Sequence, residues 1–128
     1  MYWIEKKVFL LLTWLATYFA PVSEFMLMVG ILVFLDTYLG VRYAKKEGVF
    51  NSRRLESVIH KTLIYVCAIM VSHLAEQSLQ IPMLLKITSG YIAYTECVSI
   101  DENSTKLLGY SIFKKLLKYI KREKGGEN

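Results

Sequence analysis

Two carboxylates stand where this sequence is otherwise apolar: Asp36 within VGILVFLDTYLG and Glu96 within SGYIAYTECVSI, the latter followed closely by Glu102 and Asn103. A carboxylate can transfer protons, ligate a metal or pair with a cation. The first two uses need companions that the spacing does not supply. His60 sits among basic loop residues and His73 three residues before Glu76, with no second ligand at a metal spacing and no nucleophile, base and orienting group in sequence. Cys67 and Cys97, thirty residues apart in apolar runs, form no CxxC or Cys/His pattern and read as small apolar residues. No glycine-rich phosphate loop occurs. Neither an enzyme nor a cofactor is indicated, which leaves ion pairing, and the cations near the level of Asp36 and Glu96 are Arg42, His60 and Lys61.

The elements that carry these groups are long apolar runs. Of the 128 residues, 54% are hydrophobic, well above the usual soluble domain, so a membrane protein is the first expectation. Four segments stand out, at 8–23, 25–41, 58–75 and 81–100. A hydrocarbon core of about 30 Å takes roughly 17 to 25 helical residues, which these runs just provide. Ala20-Pro21-Val22-Ser23-Glu24 interrupts the first pair and Glu76 to Pro82 the second, each short enough for a helical hairpin. The longer connection from Arg42 to Ser57 contains Gly48 and Asn51-Ser52, which predict a turn. The fold class expected is therefore all-α: an integral membrane protein of about four transmembrane helices in two hairpins, with residues 1–103 as the spanning domain and 104–128 as a basic cytoplasmic tail.

Charge placement separates this arrangement from a soluble four-helix bundle. Lys6 and Lys7 precede the first segment, Arg42, Lys45, Lys46, Arg53, Arg54 and Lys61 fill the connection between the second and third, and the rest follow the fourth; of sixteen basic residues only Lys86 falls elsewhere. The short linkers hold Glu24 and Glu76 and no cation. The positive-inside rule then puts both termini in the cytoplasm. A soluble bundle has no reason to sort its charges so, and its helices should alternate polar and apolar faces. The first segment also resembles a signal peptide in its n- and h-regions, but Pro21 would follow the only plausible cleavage site, which favours a retained span. The net charge of +5 does not point to nucleic acid, because the basic residues flank apolar spans and do not interleave with an aromatic platform.

On a helical wheel Ser89, Ile92, Glu96, Ser99 and Asn103 share one face of the last span. That polar stripe is either a helix interface or water-lined surface used in assembly, or a local feature in which Glu96 reaches interfacial water or a loop cation. Lys86 is expected to snorkel outward and to meet Glu76 across the second hairpin. Small-xxx-small pairs at Ala16/Ala20, Ala68/Ser72 and Ser89/Ala93 would allow close helix approach. In the tail, Leu108, Ile112, Phe113, Leu116, Leu117 and Ile120 recur at helical spacing while Lys114, Lys115, Lys118, Lys121 and Arg122 take much of the remaining surface. This predicts an amphipathic helix on anionic inner-leaflet lipid, or a solvated helix packed on its own protein. The last residues, Gly125 to Asn128, are expected to be disordered.

Two stretches together resemble a phage holin family, the one that includes the clostridial toxin-secretion holins. LDTYLGVRYAKKEGVFNSRR is similar to the family's Asp, a Gly four residues on and a Lys-rich turn ending in Ser and further basic residues, here Asp36, Gly40, Lys45, Lys46 and Ser52. ECVSIDEN matches Glu-x-x-Ser-Ile-x-Glu-Asn through Glu96, Ser99, Ile100, Glu102 and Asn103, and Gly109 and a basic helical tail follow, as in the family. The resemblance covers Leu35 to Lys121. Leu39 stands where Thr is usual, and LESVIHK lacks a glycine common before the third span.

The resemblance implies a small lysis protein that accumulates in the bacterial cytoplasmic membrane, forms homo-oligomers among the lipids, and opens lesions through which an endolysin, or in some relatives a toxin, leaves the cell without direct contact being required. Asp36, Gly40, Glu96, Ser99, Glu102 and Asn103 are then candidates for helix contacts or the rim of the assembly, and Arg42, Lys45, Lys46, Arg53, Arg54 and the tail cations for the membrane surface. A non-lytic membrane scaffold, which would leave the bilayer sealed, and a small channel, which would show one fixed conductance, are the competing classes.

Overall fold

A computed structural model describes residues 1–126; Glu127 and Asn128, part of the stretch expected to be disordered, lie outside the described residues. Every described element is helical: α1 (Tyr2–Phe19), a 3-10 turn (Ala20–Val22), α2 (Ser23–Lys46), α3 (Arg53–Leu79), α4 (Leu84–Leu108) and α5 (Ile112–Gly125). Gly125 thus closes a helix where disorder was expected.

The join between α1 and α2 differs from the expected hairpin. Phe19 to Ser23 keep negative φ, with Ala20, Val22 and Ser23 in right-handed helical geometry, and the Ser23 hydroxyl donates to the Ala20 carbonyl at 2.7 Å. Pro21 sits in the first turn of the 3-10 segment, where its missing N–H removes one helical bond. Such a join kinks a helical path without reversing it. No residue of α1 is buried, and α1 meets the rest of the fold at its C-terminal end, where the Tyr18 and Phe19 rings pack on His73.

The packed unit is a bundle of α2, α3 and α4. A turn with Gly48 at φ +70° separates α2 from α3, and Asn51 accepts the Arg53 N–H at 3.2 Å to start α3. Between α3 and α4, Gln80 and Met83 adopt left-handed φ of 53° and 68° on either side of Pro82. The Leu85 N–H donates to the Glu76 carboxylate at 3.0 Å, so Glu76 caps the N-terminus of α4. This corrects the expected Glu76–Lys86 pair: the carboxylate serves an orphan backbone donor, and Lys86 points outward. Glu76→Ala should therefore cost the bundle about 0.5–2 kcal/mol, read by thermal unfolding in mild detergent.

Val22, Val29 and Val33 of the turn and α2, Ile69 of α3, and Leu85 and Ile92 of α4 form the apolar core. Along α4 the buried positions Leu85, Ser89, Ile92 and Glu96 repeat at intervals of four, three and four, the heptad-like seam of helices crossing at shallow angles. The seam is half polar. Among the described residues the buried set consists of seven apolar residues and six polar ones, Asp36, Ser72, His73, Ser89, Glu96 and Ser104, while Leu63, Ile64 and Val71 of α3 and Ile87, Tyr91 and Tyr94 of α4 face outward. A soluble bundle inverts this distribution.

Threonine hydroxyls make the same point. Thr13, Thr17, Thr37, Thr62 and Thr95 each donate to the carbonyl four residues back, at 2.6 to 3.0 Å, so they need no water. Two helical runs are long and apolar enough to cross a bilayer: the kinked stretch Tyr2–Lys46 and α3. Although α4 is long enough, its composition falls short because Glu96, Asp101, Glu102 and two lysines lower it; Glu96 faces inward, whereas the face turned outward along the first half of α4 carries Ile87, Tyr91 and Tyr94 beside Lys86 and Thr95.

Candidate functional site

Helix spacing brings three charged groups from three helices to one level. Asp36 is followed four residues later by Gly40 on the face of α2 that meets α4; Lys61 and Tyr65 are one turn apart on α3; Glu96 lies at the centre of α4, two turns from Asn103. The Lys61 ammonium is 3.1 Å from Asp36 Oδ2 and 3.1 Å from Glu96 Oε1, so one cation is shared by two carboxylates. Tyr65 donates its hydroxyl to Glu96 Oε1 at 2.6 Å, and Asn103 donates its amide to Asp36 Oδ1 at 2.8 Å. Glu96 is 1% exposed and Asp36 6%, whereas the Lys61 side chain keeps 31% of its surface open. Each carboxylate thus has its charge opposed and a further donor besides, the arrangement that makes buried ions tolerable in a low-dielectric setting.

A cavity of about 240 Å³ opens beside this cluster, lined among others by Asp36, Gly40, Arg54 and Asn103. A Cβ built on Gly40 would lie 3.5 Å from the Asn103 amide, an ordinary contact. Gly40→Ala is therefore expected to fold like the parent, while Gly40→Leu should displace Asn103 from Asp36 at a cost of about 1–3 kcal/mol, read by the same unfolding assay.

Of the residues singled out from sequence, Asp36, Gly40, Glu96 and Asn103 come together here. Ser99 is half-buried, and Glu102 is exposed and takes no part in the cluster. Of the three cations near that level, Lys61 enters; Arg42 lies over the Tyr38 ring at 6.0 Å, and His60 stands 3.9 Å from Glu56 on the helix surface. Tyr65 was missed, although its position one turn after Lys61 on an otherwise apolar face was a usable signal. Further along the seam the Ser72 hydroxyl donates to Thr88 at 2.7 Å, and His73 Nε2 lies 3.1 Å from the Tyr18 carbonyl, a packing role for that histidine. Ser89 Oγ is buried with no hydrogen-bond partner.

At its C-terminal end, α4 runs on to Leu108 and stops at Gly109, whose φ of +78° suits glycine and whose N–H bonds the Thr105 carbonyl at 2.8 Å. Ser111 then caps α5 by accepting the Lys114 N–H at 3.2 Å while donating to the Asp101 carboxylate. Basic residues Lys45, Lys46, Arg53 and Arg54 border the α2–α3 turn, and Lys114, Lys115, Lys118, Lys121 and Arg122 lie on α5, none of whose residues is buried. No group of three or more metal-ligating side chains occurs among the described residues.

No curated protein and no solved structure matches the chain. The sequence model of the bacteriophage holin family does, over residues 13–124, which extends the resemblance seen in the two motifs back into α1 and through most of α5. With that match spanning the kinked first helices, the charged three-helix seam and the basic end, the chain belongs to the bacteriophage holin family.

Proposed function

We propose that this protein is a lesion-forming holin of the bacterial cytoplasmic membrane, non-enzymatic, which self-associates and releases an endolysin or a comparable cargo during lysis. The observation that carries the reading beyond family membership is the inverted bundle, with a charged seam inside and aliphatic and aromatic side chains outside. Such a surface is stable only against lipid or further copies of the chain.

In the bilayer, α2, α3 and α4 cross in alternating directions, so that Lys45, Lys46, Arg53, Arg54 and Lys106 share the cytoplasmic side and the Gln80–Met83 turn lies outside. As the fourth span, α1 crosses by swinging about the Ala20–Val22 joint: collinear with α2, its 18 residues and the 24 of α2 would reach about 63 Å at roughly 1.5 Å per residue, twice the hydrocarbon thickness. Lys6 and Lys7 favour the crossing that returns the N-terminus to the cytoplasm. The tail begins at Gly109, and α5 lies on the inner leaflet with Ile112, Phe113, Leu116, Leu117 and Ile120 in the acyl boundary and its lysines among anionic headgroups, each contributing about 1 kcal/mol. Ser111→Ala should loosen the start of α5 by about 0.5–2 kcal/mol, visible as lost helicity of that segment by amide hydrogen exchange in vesicles.

The test is induction of this chain alone in cells, with a cytosolic enzyme followed in the medium. Release at a defined time after induction supports the proposal. Growth with sealed membranes despite normal accumulation would replace it with a scaffold, and a single fixed conductance in planar bilayers with a channel.

A further inference from the structure

The buried polar side chains of the bundle, which a water-filled lesion would need, are turned inward. Glu96, Ser89, Asp36 and Ser72 are buried in the protomer, and the carboxylates are already matched by Lys61, Tyr65 and Asn103. The surface left outside is chiefly apolar, with Leu63, Ile64 and Val71 on α3 and Ile87, Tyr91 and Tyr94 on α4; of the polar groups there, Thr95 is spent on the Tyr91 carbonyl and Lys86 lies near the connecting turn. Protomers assembled in this form would line a hole with apolar side chains, the surface least suited to hold water. Resting on the lesion-forming reading, we infer that the structure is a closed, autoinhibited protomer, and that the Asp36–Lys61–Glu96 cluster is the lock that must open, α3 parting from α4, before the seam can face water.

The geometry suits a lock in three respects. One ammonium ties α2, α3 and α4 at a single level, so losing its grip frees both helix contacts together. Apart from the Glu76 cap on the Leu85 N–H beside the connecting turn, the remaining polar cross-ties between α3 and α4 are hydrogen bonds of hydroxyls, Tyr65 to Glu96 and Ser72 to Thr88, which water can replace at a small cost. The seam also holds the orphaned Ser89 hydroxyl, a group better satisfied in the open, wetted form than in the closed one. Closed and open protomers therefore exchange one set of polar partners for another, which is what a two-state element requires.

Ser72 and Thr88 supply the test, because their hydroxyls are 2.7 Å apart across the α3–α4 contact. In a full-length chain with Cys67→Ala and Cys97→Ala, the pair S72C/T88C is joined by oxidation, or by dibromobimane where oxidation is incomplete. The protein is reconstituted into phosphatidylethanolamine/phosphatidylglycerol vesicles loaded with a self-quenched dye. Circular dichroism of the joined form should match the parent, and S72A/T88A serves as the unjoined control.

The joined form should leak roughly tenfold or more slowly than its reduced form, with leakage restored by dithiothreitol in the disulfide sample. Equal leakage of joined and reduced forms would overturn the lock while leaving the lesion-forming activity in place. Sealed vesicles with every form, the cysteine-free parent included, would remove the lesion-forming reading and this inference with it.

Discussion

Lys61→Met should lower the stability of the bundle by about 3 kcal/mol, the lower part of the range for breaking a buried ion pair, because the lysine itself is partly open. The argument is one of charge count. With Lys61 present, two carboxylates share one cation; without it, Asp36 and Glu96 face each other's charge in the seam with only Tyr65 and Asn103 as donors. Those neutral donors are worth about 0.5–1.5 kcal/mol each and cannot replace the lost attraction. Restoring neutrality should restore most of the loss: D36N/K61M/E96Q is expected within about 1 kcal/mol of the parent, since a neutral seam of similar shape carries no unpaired ion. Thermal unfolding in mild detergent measures both. If Lys61→Met unfolded with the parent, the shared ammonium would hold nothing together.

Glu96 should show a split between two replacements. Glu96→Ala removes a side chain that is 1% exposed, leaves the Tyr65 hydroxyl without an acceptor and opens a void, for a combined cost of about 2–4 kcal/mol. Glu96→Gln keeps the shape and an acceptor for Tyr65, and leaves Lys61 matched one to one with Asp36, so its cost should stay near or below about 1 kcal/mol. Function should separate differently. Both replacements weaken the tie between α3 and α4, so both should advance lysis relative to the parent at equal accumulation. Unchanged lysis timing for Glu96→Gln and Glu96→Ala would detach this residue from the activity, whatever the stability data said.

Much of the architecture was legible because lipid imposes simple rules on a chain. Apolar length gave the helices, although α2 runs on through Lys46 and α3 begins at Arg53, so the basic residues expected to fill the connection between them extend the helices instead. The polar residues Ser89, Glu96 and Asn103 on one wheel face of α4 pointed to the side that meets its neighbours, since a mid-helix carboxylate cannot profitably face acyl chains. What the sequence could not show was which partner each polar group takes. Glu96 had three cations within plausible reach, and only tertiary packing selects Lys61 over Arg42 and His60. Glu76 illustrates the same limit: opposite charge suggested Lys86, but the stronger need was an unsatisfied N–H at the start of α4.

Pro21 misled in a different way. A proline after an apolar run marks a helix break, yet in the first turn of a new helix it is tolerated, and Ala20, Val22 and Ser23 keep helical geometry through the joint. The expected start of the tail at residue 104 falls inside α4. The helix itself continues to Gly109, where left-handed backbone ends it. Composition reports where a chain leaves the hydrocarbon, and backbone stereochemistry reports where a helix stops, and these need not coincide.

The measurement closest to the central claim is side-specific thiol labelling in intact cells, with single cysteines placed at Ser52 and Ser78 in a chain lacking Cys67 and Cys97. Both positions are exposed, one in the turn before α3 and the other near its far end. An impermeant maleimide added outside should modify the cysteine at 78 and reach the one at 52 only after the membrane is opened. Equal labelling of both from outside, or recovery of the chain as a detergent-free monomer in buffer, would contradict a bundle that turns its charges inward and its hydrocarbon to the lipid.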